Sequence, residues 1–218
     1  MKQDEFSIKR QQLVQEMKSL GTIVSPEIEQ AFLSVKRELF FPQNLQQFAY
    51  ADDAFPLGLN QTISQPSTIA AMLELLSPQK NHAILEIGSG SGYVLALLSI
   101  IVGERGKVFG TEILKELAEQ SLSSLKLQQC KNVEVIIGDG VEFAKGKQFD
   151  RILLSCASPF IPKPLFDAVK EKGIIVAPVG DSHTQQLVQL TKFQGKAVKK
   201  FASGFYAFVP LRGEHGFK

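Results

Sequence analysis

The run most suited to chemistry is Ile84-Leu85-Glu86-Ile87-Gly88-Ser89-Gly90-Ser91-Gly92-Tyr93. An apolar stretch ends in alternating glycines, and a helical pattern follows at once. Glycines at the end of a buried strand let the backbone turn tightly and let a ligand approach the peptide groups. The dinucleotide fingerprint would need its third glycine at position 93, where Tyr93 stands, and no G-K-[ST] follows at P-loop distance. A nucleotide-type cofactor of another kind is therefore expected. Two acids support it. Glu112 lies twenty residues after Gly92, where a carboxylate can accept from both hydroxyls of a ribose. Asp139, before Gly140, is placed to accept an adenine amino group.

These residues need a frame to hold them. From residue 82 apolar strand-like and helical segments alternate: HAILEIG, GYVLALLSIIVG, KVFGTEI, LKELAEQSLSSLKLQ, NVEVIIGDG, FDRILLSCA, PKPLFDAVKEK and GIIVAPVG. Such alternation predicts an α/β fold with a doubly wound, mostly parallel sheet. Glu86, Glu112 and Asp139 then sit at or near the carboxyl edges of adjacent strands, where ligands bind. The segments QQLVQLTKF and KAVKKFASGFYAFVPL have no helix between them and predict a C-terminal antiparallel hairpin. Two helices are expected before the sheet. One carries Phe6, Leu13, Met17 and Leu20 and stops at Gly21. The other starts at Ser25-Pro26-Glu27, with Ser25 as cap, and carries Ile28, Phe32 and Val35. The stretch from Phe40 to Ser64 reads as a long irregular loop, too apolar to be disordered and long enough to be functional. Pro66 opens a helix with Ile69, Met72, Leu73 and Leu76 on its apolar face.

With 218 residues, the chain is read as one domain: residues 1–65 a helical and lid extension, 66–218 a cofactor-binding core. The net charge of +2 suggests neither nucleic acid nor a membrane surface as partner. Lys192, Lys196, Lys199 and Lys200 read as solvated lysines around a strand turn. Cys130 and Cys156 read as reduced thiols. The charged N-terminus lacks the apolar region of a secretory signal, and no apolar run approaches a membrane span. A cytoplasmic monomer is expected.

The pattern E-x-G-x-G-x-G, with Glu112 and Asp139, resembles the class I S-adenosylmethionine methyltransferases, which are Rossmann-like. The fourth strand narrows the acceptor. Ser155-Cys156-Ala157-Ser158-Pro159-Phe160 lacks the paired prolines of enzymes that methylate DNA or RNA amino groups. It also lacks acidic ligands for a hard cation, so no metal is expected. Cys156 lacks a preceding proline and reads as a packed apolar residue. The segment before the sheet is the most specific. Ala49-Tyr50-Ala51-Asp52, Pro56-Leu57-Gly58 and Gln61-Thr62-Ile63-Ser64-Gln65-Pro66 resemble protein-L-isoaspartate O-methyltransferases, and the similarity runs from about residue 30 to 213.

That resemblance implies methyl transfer from S-adenosyl-L-methionine, leaving S-adenosyl-L-homocysteine, to the α-carboxylate of isoaspartyl residues in damaged proteins and peptides. It implies Ser64 as the active-site serine, its hydroxyl donating to one carboxylate oxygen. Ile63, Ser64 and Gln65 would form a lid, with Ile63, Ser64 and Val209 facing substrate. Gln65, Glu86, Gly88, Ser89, Gly90, Gly92, Glu112, Asp139 and Gly140 would surround the cofactor. Capping of the helix at Pro66 is a second role open to Ser64. The chain departs from the family at Asn60, often glycine, and at Leu59 and Ser67, commonly aromatic; these positions bear on substrate preference. A methyltransferase for a small molecule or RNA, or a silent cofactor-binding homologue, are the competing readings.

Overall fold

The structure is a computed structural model and describes residues 2–217, with side chains from residue 5 onward. Helix α1 (Lys2–Ser19) ends where Gly21 adopts a left-handed φ of 71°. Its buried face is Leu13, Val14 and Met17, whereas Leu20 is 73% exposed. Leu20 follows the last helical turn, so the spacing that placed it on the apolar face no longer holds there. Helix α2 (Pro26–Ser34) buries Ile28 and Phe32, and Val35 follows as a buried residue at its end. Ser25 does not cap it through its side chain. Its hydroxyl instead donates to Glu74 Oε2 at 2.6 Å, and Glu74 Oε1 accepts the N–H groups of Val24 and Ser25. The start of α2 is thereby tied to the next long helix rather than to itself.

The stretch from Phe40 to Ser64, read as irregular, is locally ordered. It follows a 3-10 turn at Arg37–Phe40 and contains another at Gln43–Phe48, then the hairpin β1 (Phe55–Gly58) and β2 (Gln61–Ile63). Phe48 stacks on Phe55, and Phe41 packs against the same ring. Helix α3 (Pro66–Leu76) buries Ile69, Met72, Leu73 and Leu76, as its spacing predicts. The strands that follow are β3 (Ala83–Ile87), β4 (Lys107–Glu112), β5 (Val133–Ile137), β6 (Phe149–Leu154), β7 (Val169–Gly180), β8 (Gln185–Phe193) and β9 (Lys196–Phe201). Between them run α4 (Tyr93–Val102), α5 (Lys115–Leu127), α6 (Gly140–Ala144) and α7 (Lys163–Ala168). Helix α7 stops at Ala168, and the VKEK residues read as its continuation belong to β7. Lys192, read as a solvated lysine, donates to the carbonyls of Phe166 and Val169 and so closes the C-terminal end of α7.

The sheet order is β5-β4-β3-β6-β7-β8-β9. The first five pair in parallel, and β8 and β9 close the edge antiparallel, as the sequence predicts. Successive residues of each central strand enter different cores. Ile84, Leu153 and Val176 pack with α1–α4, while Leu85, Ile152, Leu154 and Ile175 pack with α6 and α7. This period of two, apolar on both faces, is what a doubly covered parallel sheet requires. The chain order reverses between β3 and β6, and that switch point opens a crevice at their carboxyl ends.

Candidate active site

Two adjoining cavities occupy this crevice and share Thr62, Gly88, Gly90 and Ser155. The first reaches Glu112, Ile113, Leu114, Asp139, Gly140 and Val209. The second reaches Ile63, Ser64, Glu86 and Ser89, with Ile69 and Met72 as an apolar wall. The sheet thus brings together most of the residues singled out in the sequence. Two lie outside both cavities.

Gly92 is one of them. Its φ is 84°, and a Cβ there would lie 3.1 Å from Ser121 Cβ on α5. This glycine serves close helix packing rather than the ligand. Gly90 differs: its φ is 52° and a Cβ would meet nothing within 4 Å, because that side faces the cavities. Gln65 is the second exception. It precedes α3 as N-cap without a side-chain cap bond, and its amide donates to Asp52 Oδ2 at 3.1 Å. Asp52 Oδ1 also accepts the N–H of Ser67 at 2.8 Å. Asp52 therefore supplies an acceptor at the start of α3, and neither Ser64 nor Gln65 does so with its side chain. The expected contact of Gln65 with the cofactor has no side-chain basis here.

Glu112 ends β4 facing the first cavity. Its Oε2 accepts from Gly90 N at 3.0 Å and its Oε1 from Leu114 N at 3.0 Å. These bonds fix the carboxylate plane, and each oxygen keeps a lone pair for a further donor. Asp139 Oδ1 caps α6 through Val141 N at 2.8 Å, while Oδ2 lies against Gly213. Gly140 begins α6 so close to β4 that a Cβ would fall 2.2 Å from Thr111 Oγ1. The carbonyl of Val209 accepts from Ala157 N at 2.8 Å and Leu211 N donates to Ala157 O at 2.7 Å, so the C-terminal segment is stitched along the mouth of the crevice.

Glu86 is 1% exposed. Its Oε1 accepts from Ser155 Oγ at 2.6 Å, and its Oε2 is buried without a partner. Burial pushes its carboxyl up to about 8, against the opposing pull of the Ser155 hydroxyl. Ser89 Oγ is likewise buried and unpartnered. Both line the second cavity. A buried carboxylate with a free oxygen and a free hydroxyl lining one cavity fit an incoming ammonium, such as that of an amino-acid moiety. Ser64 lines the same cavity, half-buried, its hydroxyl bonded to no other described residue. Cys156 is buried, and burial drives its thiol well above the ordinary range, which suits packing and not nucleophilic chemistry.

The sequence reading missed Arg37, whose Nη2 donates to the carbonyl of Ser64 at 2.9 Å. A cation amid the apolar residues of VKRELFFP was the available signal. It also missed the Ser155 contact and the positions of Ile113 and Leu114 beside Glu112. One possible metal-ligand group among the described residues, Glu142, Glu214 and His215, lies outside both cavities, and Glu142 is already paired with Lys145.

A crevice at the switch point, a glycine turn, and acids at the ends of β3 and β4 and just beyond β5 define a class I S-adenosylmethionine methyltransferase fold. Comparison with known proteins carries this further. A family model described as protein-L-isoaspartate(D-aspartate) O-methyltransferase matches residues 8–216, and the chain belongs to that family. The protein-L-isoaspartate O-methyltransferase 2 of Archaeoglobus fulgidus is 40% identical, covering 98% of this chain and 97% of the relative. The protein-L-isoaspartate O-methyltransferase of Methanopyrus kandleri is 39% identical, covering 98% and 95%. A solved protein-L-isoaspartate O-methyltransferase superposes with a TM-score of 0.83 at 28% identity, over 95% of this chain and 67% of that one. A Plasmodium falciparum structure in complex with S-adenosyl-L-homocysteine shares the fold, with a TM-score of 0.81 at 23% identity over 92% and 97% of the two chains.

Proposed function

We propose that this chain moves the methyl group of S-adenosyl-L-methionine to the α-carboxylate of L-isoaspartyl residues in damaged proteins and peptides. The observation that carries the site assignment is the second cavity. It is lined by Ser64, whose hydroxyl is unengaged, and by Glu86 and Ser89 with their unpartnered oxygens, and it adjoins the cavity lined by Glu112, which supports the reading. When bound, the cofactor supplies a methyl on a positively charged sulfur. Glu86 and Ser89 hold its amino-acid end, Glu112 its ribose hydroxyls, and Asp139 its adenine, with the backbone of Gly88, Gly90 and Gly140 allowing close approach.

The acceptor carboxyl, with an ordinary pKa near ~4, is already ionised at neutral pH. No general base is needed. Ser64 donates to one carboxylate oxygen and leaves the other aimed at the methyl carbon, an orientation effect of the kind that contributes roughly 7–11 kcal/mol. Ile63, Ile69 and Met72 exclude water, which favours a reaction that joins opposite charges and disperses them. Val209 and its neighbours offer a strand-like edge for a peptide of varied sequence.

The proposal extends to a cytoplasmic monomer of one domain that engages neither nucleic acid nor membrane. One core running from Leu13 to Leu187 across extension and sheet supports the single domain. No helix among the described residues is long and apolar enough to cross a membrane. Sedimentation tests the monomer. The activity is tested by offering labelled cofactor with an isoaspartyl peptide and with its aspartyl twin. Labelling of the first alone is expected. Equal labelling of both, or of neither, rejects the assignment.

A further inference from the structure

Arg37 is wholly buried, yet it has no carboxylate partner within ion-pair distance among the described residues. The neighbouring Glu38 is taken up by Arg10 and by the hydroxyl of Tyr50. A buried cation without a counterion is costly, and an apolar residue of similar length would fill the same space. Its contacts say what it does. Nε donates to the carbonyl of Ala49 at 2.9 Å and Nη2 to the carbonyl of Ser64 at 2.9 Å. Those carbonyls flank the excursion that carries the β1–β2 hairpin, so one guanidinium closes both ends of it. The same group lies 4.6 Å from the ring centre of Tyr93 and 5.2 Å from that of Phe41. Tyr93 is the first residue of α4, directly after the glycine turn.

We infer that Arg37 is a positioning residue for methyl transfer, fixing the Ser64 peptide in register with the glycine turn so that the Ser64 hydroxyl meets the acceptor carboxylate. This rests on the proposed role of Ser64. A planar fork bonds two carbonyls at once while stacking on rings, and a lysine ammonium cannot reproduce that geometry. The hydrogen bond to the Ser64 carbonyl sets the plane of the Ser64–Gln65 peptide, and with it the direction in which the hydroxyl projects.

A double-mutant cycle on kcat tests this, using Arg37→Lys, Ser64→Ala and their combination, with an isoaspartyl peptide as acceptor. Arg37→Lys is expected to lower kcat by about 10–100-fold, the order of a misplacement of up to 1 Å, and by no more than Ser64→Ala does. The peptide KM and the cofactor Kd should stay within about threefold of the parent. Once Ser64 is alanine, the same change should cost less than about threefold, because it acts through that hydroxyl. Full multiplication of the two effects, or a kcat for Arg37→Lys within threefold of the parent, overturns the inference while leaving the role of Ser64 intact. An undiminished kcat for Ser64→Ala alone rejects the role of Ser64 and, with it, the inference. If Arg37→Lys does not fold, Phe41→Leu replaces it in the cycle. That change thins the ring beneath the guanidinium but keeps apolar bulk, and the same two outcomes decide.

Discussion

Replacing Glu86 by glutamine should weaken cofactor binding and stabilise the empty protein at the same time. The carboxyl is buried, one oxygen is unpartnered, and its pKa is raised from an ordinary 4.5 to about 8. At pH 7 the acid form then outnumbers the carboxylate about tenfold. An ammonium is held by the carboxylate, so binding must expel a proton. The Kd of the parent should therefore fall up to about tenfold per pH unit between pH 6 and 8, pass through a minimum near pH 8, and rise again as the α-amino group of the cofactor, with an ordinary pKa near ~8, loses its own proton. Glu86→Gln removes this slope and raises the Kd at pH 8 by roughly 10–150-fold, the worth of a charge-assisted hydrogen bond. Stability moves the other way. A carboxyl whose folded pKa is raised contributes stability fully present below pH 4.5 and lost as pH rises through about 8. At 1.36 kcal/mol per pH unit the loss has a ceiling of about 5 kcal/mol. The empty Glu86→Gln protein should thus melt higher than the parent at pH 9, with the gap closing toward pH 5. Calorimetric titration in buffers of different ionisation enthalpy reads the proton release, and thermal melts read the stability. A parent Kd that is flat from pH 6 to 8, or a variant that melts no higher at pH 9, would refute the reasoning.

Ser64→Ala should lower kcat by roughly 10–150-fold and leave the cofactor Kd near normal; steady-state kinetics alongside calorimetry measure both, and unchanged turnover contradicts the proposed role. Glu112→Ala should weaken cofactor affinity, because it removes both the proposed ribose acceptor and the anchor of the Gly90 and Leu114 N–H groups; an unaltered Kd would show that the ribose lies elsewhere. Leu59 and Asn60 both adopt left-handed backbone, with φ of 53° and 57°. A leucine there is disfavoured by roughly 1–2 kcal/mol, so Leu59→Asn should stabilise the protein by about 1 kcal/mol in urea unfolding, and a lower midpoint would count against the strained turn. Gly92→Ala should destabilise by more than about 1 kcal/mol, since its φ of 84° strains any L side chain and a methyl would crowd Ser121 at 3.1 Å; retention of the parent's melting temperature would contradict this.

Much of the frame was legible along the chain, because the signals for it are local. Alternating apolar strands and helical stretches imply a covered parallel sheet, and such a sheet delivers whatever ends its strands to one edge. Glu112, at the end of its strand, and Asp139, two residues beyond β5, therefore had only to be placed within their own segments to be brought together. The stretch from Phe40 to Ser64 resisted for the opposite reason. Its order comes from packing of Phe41, Phe48 and Phe55 and from a turn that has no Asn-Gly or Asp-Gly signature. The departures at Leu59 and Asn60 occupy the two central positions of that turn, so they bear on hairpin geometry as well as on substrate preference.

By itself, then, the sequence determined the fold class, the glycine turn, the acids at the same sheet edge and the family, since each is written in residues close together. Tertiary structure decided which side chains are engaged and which are free. Ser155 answers Glu86 from 69 residues away, and Arg37 grips Ser64 from 27. Gln65 turns outward to Asp52, and Gly92 is needed by a neighbouring helix. The physical reason is that burial and hydrogen-bond satisfaction depend on what the folded chain brings alongside each group, and spacing along the chain carries no record of those neighbours.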